Sequence, residues 1–404
     1  MTVAALLAGC ASAPGLDLGS GESSAPVVSP GRSVAASVES RARAHPTAAP
    51  SPSPSTDQIA CVAALPEDVR IGQTMLVTAG GVDRVRDWLD QGLIAGVLAN
   101  GRLTSISAAE FRAATLDTRY GALLAADEEG GGVQRYQDVA GLLPSPQRQE
   151  WSMTPDQVRD LYQMHGETLR EWGVTLALAP VVDVGHGPAI GSRSYSDDPE
   201  VVAEYGAAAA EGLAEAGVLP VLKHFPGQGR TSGDPHYGQA IGPDIASLRA
   251  VDLVPYREIP TQVEVGVMVG HTTVPGFSDQ PSSQSADTIS GLLGDELGFD
   301  GLIVSDALGM AGSGLSQGDA LVGFLAAGGH LGIVGPGGSI EGRRAVRSAL
   351  ADGTLTAAQV DGAAARVLAV KRVDPCAVVG ADAPKVVDSE VPSDEPVVNP
   401  TLVS

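Results

Sequence analysis

VLPVLKHFPGQGRTSGDPHYG, residues 218–238, is the stretch on which the fold turns. VLPVL (218–222) is a short unbroken apolar run, the pattern of a strand covered on both faces. It stops at Lys223 and His224. The segment that follows sets Asp234 and His236 among Gly227, Gly229, Gly233 and Gly238, a composition suited to a mobile loop rather than to a helix or strand. Ionisable groups that begin where a buried parallel strand stops mark the end at which α/β proteins build active sites.

The same unit recurs on both sides. Apolar runs lie at 73–80, 95–101, 122–130, 174–184, 218–225, 265–272, 301–307 and 330–334. Most lead through a polar or glycine-rich loop into a helical pattern. TPDQVRDLYQMHGETLREW (154–172) has Thr154 as N-cap and Pro155 at the first helical position. DPEVVAEYGAAAAEGLAEAG and SADTISGLLGDELG are further helical stretches, and TAAQVDGAAARVLAVKR closes the domain. Eight alternations predict a single (β/α)8 TIM-type barrel of the α/β class, with a doubly wound sheet as the competing architecture. A length of 404 residues is compatible with one large barrel or two domains, and 43% hydrophobic content is ample for a core.

The ends read differently. Cys10 closes Leu-Ala-Gly-Cys after an apolar stretch, which resembles a bacterial lipoprotein signal over residues 1–10, although no Lys or Arg precedes the run. Residues 11–57 are rich in Ala, Ser and Pro and predict a disordered linker. The folded domain is expected over 58–376, and 377–404 as a disordered tail. Cys61 and Cys376 flank the domain; export would permit a disulfide between them, and two free buried thiols are the alternative. A net charge of −23, with lysine only at 223, 371 and 385, argues against a nucleic-acid partner, because counterion release requires basic patches. No stretch of 18 or more apolar residues is present, so membrane association is expected only through a lipid anchor at Cys10.

Polar residues gather at the ends of the runs: Asp127, Asp183, Arg193 a little way into its loop, Lys223 with His224, His271, and Asp306. Asp306 follows a fully apolar strand in LIVSDALGM, where a carboxylate can act as a nucleophile toward an anomeric carbon or as a metal ligand. No His-x-x-x-His pair or comparable ligand set accompanies it, so neither metal nor cofactor is expected. Pro235 biases Asp234 toward an extended conformation in which side chains two apart point the same way, so Asp234 can orient His236 for acid/base work. No G-x-S-x-G elbow surrounds Ser305, which weighs against a serine hydrolase. GPGGSIEGRR (335–344) after the last run is either a phosphate-binding turn or simply a turn, with Arg343 and Arg344 facing solvent.

Taken together, KHFPGQGRTSGDPHYG, DEEGGGVQR, IGSRSYSDDPEVV and ELGFDGLIVSDALGM, in this order, resemble the β-N-acetylhexosaminidases of glycoside hydrolase family 3, of the NagZ type. The likeness runs from about Cys61 to Cys376, and the lipobox with flanking cysteines is similar to exported actinobacterial members. The resemblance implies a retaining exo-enzyme that removes terminal β-linked N-acetylglucosamine, commonly from peptidoglycan fragments. Asp306 would be the nucleophile, and His236, oriented by Asp234, the general acid/base. Asp127, Arg135, Arg193, Lys223, His224 and His271 would hold the sugar, and the glycine-rich loop would swing in over it.

The chain departs from the family pattern at Gln228 (usually His), Pro235 (Ser), Ala307 (Asp or Ser), Gly132 (Arg) and His330, where the last strand normally offers Asp. Pro235 is expected to stiffen the dyad. A tethered sugar-binding barrel without turnover and a β-glucosidase of the same broad family are the competing readings. The acceptor, water or phosphate, and the natural substrate, peptidoglycan fragment or chitin oligosaccharide, stay open, and a monomer is expected.

Overall fold

A computed structural model describes residues 53–335 and 337–380. Among them, eight parallel strands close into a barrel: β1 Met75–Ala79, β2 Gly96–Ala99, β3 Leu123–Ala126, β4 Leu176–Ala177, β5 Leu219–Phe225, β6 Gly266–Val269, β7 Ile303–Ala307 and β8 Leu331–Val334. Each falls inside one of the eight apolar runs. Closure comes from β1, which pairs with β2 on one side and with β8 on the other, Met75 opposite Gly332. The doubly wound alternative is thereby excluded, since an open sheet would leave β1 and β8 apart.

Alternation along the strands divides the core in two. Leu76, Leu98, Ala125, Val221, Met268, Val304 and Ile333 form one cluster that fills the barrel interior. Their neighbours Met75, Val77, Val97, Leu124, Leu222 and Val267 belong to a larger cluster shared with the surrounding helices. Side chains two apart share a face of a strand, so a run that is apolar throughout supplies both layers at once. The last long helix, Ala357–Val370, adds Val367 and Val370 to the interior cluster and closes the bottom of the barrel.

Helix Pro155–Glu171 starts as its sequence dictates, with Thr154 and Gln157 completing a reciprocal cap and Pro155 at the first position. Helices Pro199–Glu215 and Ala357–Val370 are capped by Asp198 and Thr356. In 335–344 the residues from Gly338 onward enter helix Gly338–Asp352. Arg343 is buried there and points a guanidinium nitrogen at the Leu93 carbonyl, 3.4 Å away, contrary to its expected place in solvent; Arg344 is exposed. His330 stands at the entry to the last strand, β8. Its Nδ1 accepts from the N–H of Ile303, the first residue of β7. That is the end of the barrel opposite the mouth. Burial pushes its imidazole down to about 3, so it stays neutral and structural.

The folded region begins earlier than residue 58. Ser55 caps helix Thr56–Ala63 through a reciprocal bond with Gln58, and helix Pro375–Val378 carries the fold past 376. The lipobox at Cys10, nearly all of the linker and most of the tail lie outside the described residues. Cys61 and Cys376 form a disulfide that joins these two terminal helices across 315 residues of sequence. Val62, Leu65, Tyr120, Ala364 and Leu368 pack beside it. A crosslink closing so long a loop restricts the unfolded chain and is worth about 3–5 kcal/mol. Replacing both cysteines with serine is therefore expected to lower the melting temperature by on the order of 5 °C or more, with catalytic parameters unchanged because the bond sits far from the mouth. Differential scanning calorimetry beside an activity assay checks this.

Candidate active site

The mouth of the barrel is built from the ends of β3 to β7. Asp127 follows β3 directly, and the alternation of a strand continues through it: Asp127 and Glu129 face the mouth while Glu128 turns away. Glu128 fixes the turn from behind. Its carboxylate accepts from the backbone N–H of Arg135 and of Tyr136, at 2.8 and 2.7 Å, and meets His165 Nε2 at 2.8 Å.

On the mouth side, the Lys223 ammonium donates to Asp127 Oδ1 at 2.9 Å and to Glu129 Oε1 at 2.6 Å. Arg193, from the short turn Gly191–Arg193, grips both oxygens of Glu129 at 2.7 and 2.8 Å. Arg135 lies 3.6 Å from Asp127. His224 donates from Nδ1 to Asp183 Oδ2 at 2.7 Å, which leaves Nε2 to accept from Arg193 Nη2 at 3.4 Å. Three cations thus face three carboxylates. Glu129 and Asp183 have side chains with 0% exposure, whereas Asp127, Arg135 and Arg193 keep 18–19% toward the mouth. The second group can reach a ligand; the first holds the second in place. Burial alone would raise the Glu129 carboxyl, but Arg193 and Lys223 outweigh it and hold the group well below the usual carboxylate range. Burial likewise works against the Lys223 ammonium, yet Asp127 and Glu129 keep its pKa above the ordinary value.

Asp306 stands in β7, where the register against β8 shifts between Val304 and Ala307. An irregularity of this kind re-aims the side chain that follows it. The carboxylate is half-buried and accepts the N–H of Ala307 at 2.7 Å. Burial pushes its pKa up, and the imidazoles of His224 and His271, the Ala307 N–H and His236 together bring it below the ordinary value. Asp306 is thus ionised and unprotonated at neutral pH. Ser305 points elsewhere: its hydroxyl accepts from the N–H of Ile333 between strands, which removes it as a nucleophile.

His271 was expected to bind sugar. It is fully buried, and both ring nitrogens are engaged within the protein. Nε2 donates to the Ala307 carbonyl at 3.0 Å and Nδ1 accepts from the Ser283 hydroxyl at 2.7 Å. Its imidazole therefore fixes the peptide next to Asp306 and has no polar atom left for a ligand. Burial lowers its pKa, which keeps it in that neutral form.

The glycine-rich loop carries the remaining pair. His236 donates to Asp234 Oδ1 twice, from its backbone N–H at 2.9 Å and from Nδ1 at 2.7 Å, so Nε2 is left pointing away from Asp234. Side-chain exposures of 34% for His236 and 25% for Asp234 leave the pair open to a ligand. The loop is anchored at its base, where Arg230 pairs with the buried Asp252. It is docked at its tip, where the N–H of Gly312 donates to the Pro235 carbonyl at 2.8 Å. Pro235 is buried against Gly312, on the turn that follows Asp306. The proline that departs from the family pattern is thus the loop's point of contact with the β7 turn. Gln228 is also buried, and its backbone N–H donates to Asp183 at 2.6 Å.

Glu129, Glu128, His165 and Ser283 had no assigned role in the sequence. The acidic run at the end of a strand was a signal for the first two, since alternation sends neighbours to opposite sides. His165 and Ser283 had none, because one lies on a helix and the other on a distant loop.

A Cβ at Gly312 would lie 2.8 Å from the Pro235 Cβ and 2.9 Å from its oxygen. Gly312→Ala is expected to push the loop away from Asp306 and lower kcat/KM about tenfold to a hundredfold, with little change in melting temperature. Steady-state kinetics beside thermal denaturation checks the pairing of those two results.

The family model "Glycosyl hydrolase family 3 N terminal domain" matches residues 67–370. A protein of Mycobacterium tuberculosis named beta-hexosaminidase LpqI is 48% identical over 195 residues, which is 46% of this chain and 50% of that protein. The chain thus spans about half the length of the curated relatives it matches first. A beta-hexosaminidase of Stenotrophomonas maltophilia is 37% identical over 56% of this chain and 71% of its own. Among solved structures, M tuberculosis LpqI superposes with a TM-score of 0.72 at 35% identity, over 78% of this chain and 96% of that one. A glycoside hydrolase family 3 beta-N-acetylglucosaminidase from Paenibacillus gives 0.71 at 26% identity, over 83% and 66%. With a barrel of this topology and a family match covering nearly all of it, the chain belongs to glycoside hydrolase family 3.

Proposed function

We propose that the chain is a retaining exo-β-N-acetylglucosaminidase acting on peptidoglycan fragments. The observation that carries the reading is the docking of the Asp234–His236 loop against the turn following Asp306, through Gly312 and Pro235. Asp306 and His236 thereby face one mouth, beside a charged cradle able to hold sugar hydroxyls. In the first step the Asp306 carboxylate attacks the anomeric carbon while His236 Nε2–H protonates the glycosidic oxygen. The carbon–oxygen bond breaks, a glycosyl ester forms on Asp306, and the leaving sugar carries away the proton. In the second step His236 Nε2 takes a proton from water, whose oxygen attacks the same carbon and releases Asp306. Asp234 holds Nδ1 throughout, so the ring keeps one orientation as it gives and takes the proton.

Hydrolysis of aryl β-N-acetylglucosaminides, N,N′-diacetylchitobiose and an N-acetylglucosaminyl muramyl fragment tests the proposal. Asp306→Ala is expected to lose about a thousandfold or more on all three. His236→Ala should lose about a hundredfold on the disaccharides and much less on an aryl glycoside with an activated leaving group, which needs little acid assistance. Sugar binding without turnover in the parent protein would move the assignment to a binding barrel.

The same reading makes the protein an exported, monomeric lipoprotein anchored at Cys10. That rests on the lipobox-like sequence and on a disulfide that suits an oxidising compartment. Cys10→Ser is expected to shift the protein from the membrane fraction to the soluble one; an unchanged distribution would remove the anchor from the proposal.

A further inference from the structure

Tyr237, the residue after the dyad histidine, plays no part in the chemistry above, yet its ring is 75% exposed. Its neighbours in the loop are small or polar, Gly233, Asp234 and Gly238, as a tight turn favours. Nothing in the packing of the loop accounts for a large aromatic side chain there. Its position is fixed by the same turn that fixes the dyad: the N–H groups of Tyr237 and Gly238 both donate to the Asp234 carbonyl, at 3.1 and 3.2 Å. The Tyr237 and His236 rings are tilted by 52° with centroids 6.4 Å apart.

That spacing has a chemical meaning. If His236 protonates the glycosidic oxygen, the ring bonded to that oxygen on the leaving side lies within about one pyranose width of the imidazole. An aromatic ring next to the imidazole offers the C–H-rich face of that pyranose an apolar surface, and aromatic side chains are the usual lining of sites for such ligands. We propose that Tyr237 is the platform for the sugar ring on the leaving-group side, and so selects substrates with a cyclic sugar beyond the scissile bond. The inference rests on the glycosidase reading and on His236 as its acid. In the second step the same surface would receive an incoming sugar in place of water, which makes transfer to an acceptor sugar depend on Tyr237 as well.

The test compares two donors of the same N-acetylglucosaminyl group: N,N′-diacetylchitobiose, with a sugar leaving group, and the β-glycosyl fluoride, with no ring to stack. Tyr237→Ala in the full chain is expected to lower kcat/KM for chitobiose by about three- to tenfold and to change the fluoride by no more than about twofold. Tyr237→Phe should match the parent, since the ring and not the hydroxyl is the platform. The yield of trisaccharide from fluoride plus added chitobiose should fall in Tyr237→Ala alone. An equal loss on methyl β-N-acetylglucosaminide, a third donor whose leaving group needs the acid but carries no ring, would mean that Tyr237 only supports the dyad, and no loss on chitobiose would mean that it touches nothing; either result overturns the inference. A parent inactive on both donors overturns the glycosidase reading first, and the platform with it.

Discussion

Glu129 is the constraint on which the mouth depends. Its carboxylate has no contact with solvent, and it is held by Lys223 from β5 and by Arg193 from the loop after β4. A buried carboxylate is tolerable only when its charge is met with good geometry, and the reverse holds for the cations. Neither Lys223 nor Arg193 can leave without stranding Glu129, so three segments distant in the sequence are fixed relative to one another. Asp127 and His224 inherit their positions from that arrangement, one through Lys223 and the other through Arg193 and Asp183.

A second set of contacts governs Asp306 and works by backbone geometry rather than charge. His271 holds the carbonyl of Ala307, and the N–H of Ala307 is directed at Asp306. The dyad loop then rests on Gly312 a few residues further along. Asp306 and the loop that carries His236 are therefore positioned from one turn. This division explains how Pro235 and Ala307 can depart from the family pattern. Pro235 contributes a carbonyl, which proline retains, and Ala307 contributes only its backbone.

Far from the mouth, the fold is closed by means that do not constrain the chemistry. Helix Ala357–Val370 plugs the barrel with Val367, and the disulfide ties together helices Thr56–Ala63 and Pro375–Val378 beside it. The buried Lys371 ammonium donates to the Tyr120 and Gly121 carbonyls and to Gln73 at this end. Burial lowers its pKa to about 7. Such a group ties strand entries to the end of helix Ala357–Val370 with no carboxylate partner among the described residues, because three oxygen acceptors meet its N–H bonds.

The eight strands, the Thr154 cap, the grouping of Asp127, Lys223, His224 and Asp306 at strand ends and the placing of Asp234 and His236 in one loop were all legible in the sequence. Each is a local matter: an apolar run, a cap or a strand terminus is encoded within a few residues. The disulfide was legible only as a possibility, since two cysteines state no distance. What tertiary structure alone decided is which polar side chains face the ligand and which face one another. In the sequence, His271, Glu129 and Asp306 are all ionisable residues that fall late in an apolar run. Only the closed barrel makes the first a backbone clamp, the second a buried counter-charge and the third an accessible carboxylate, because burial and partners come from segments far apart in the chain.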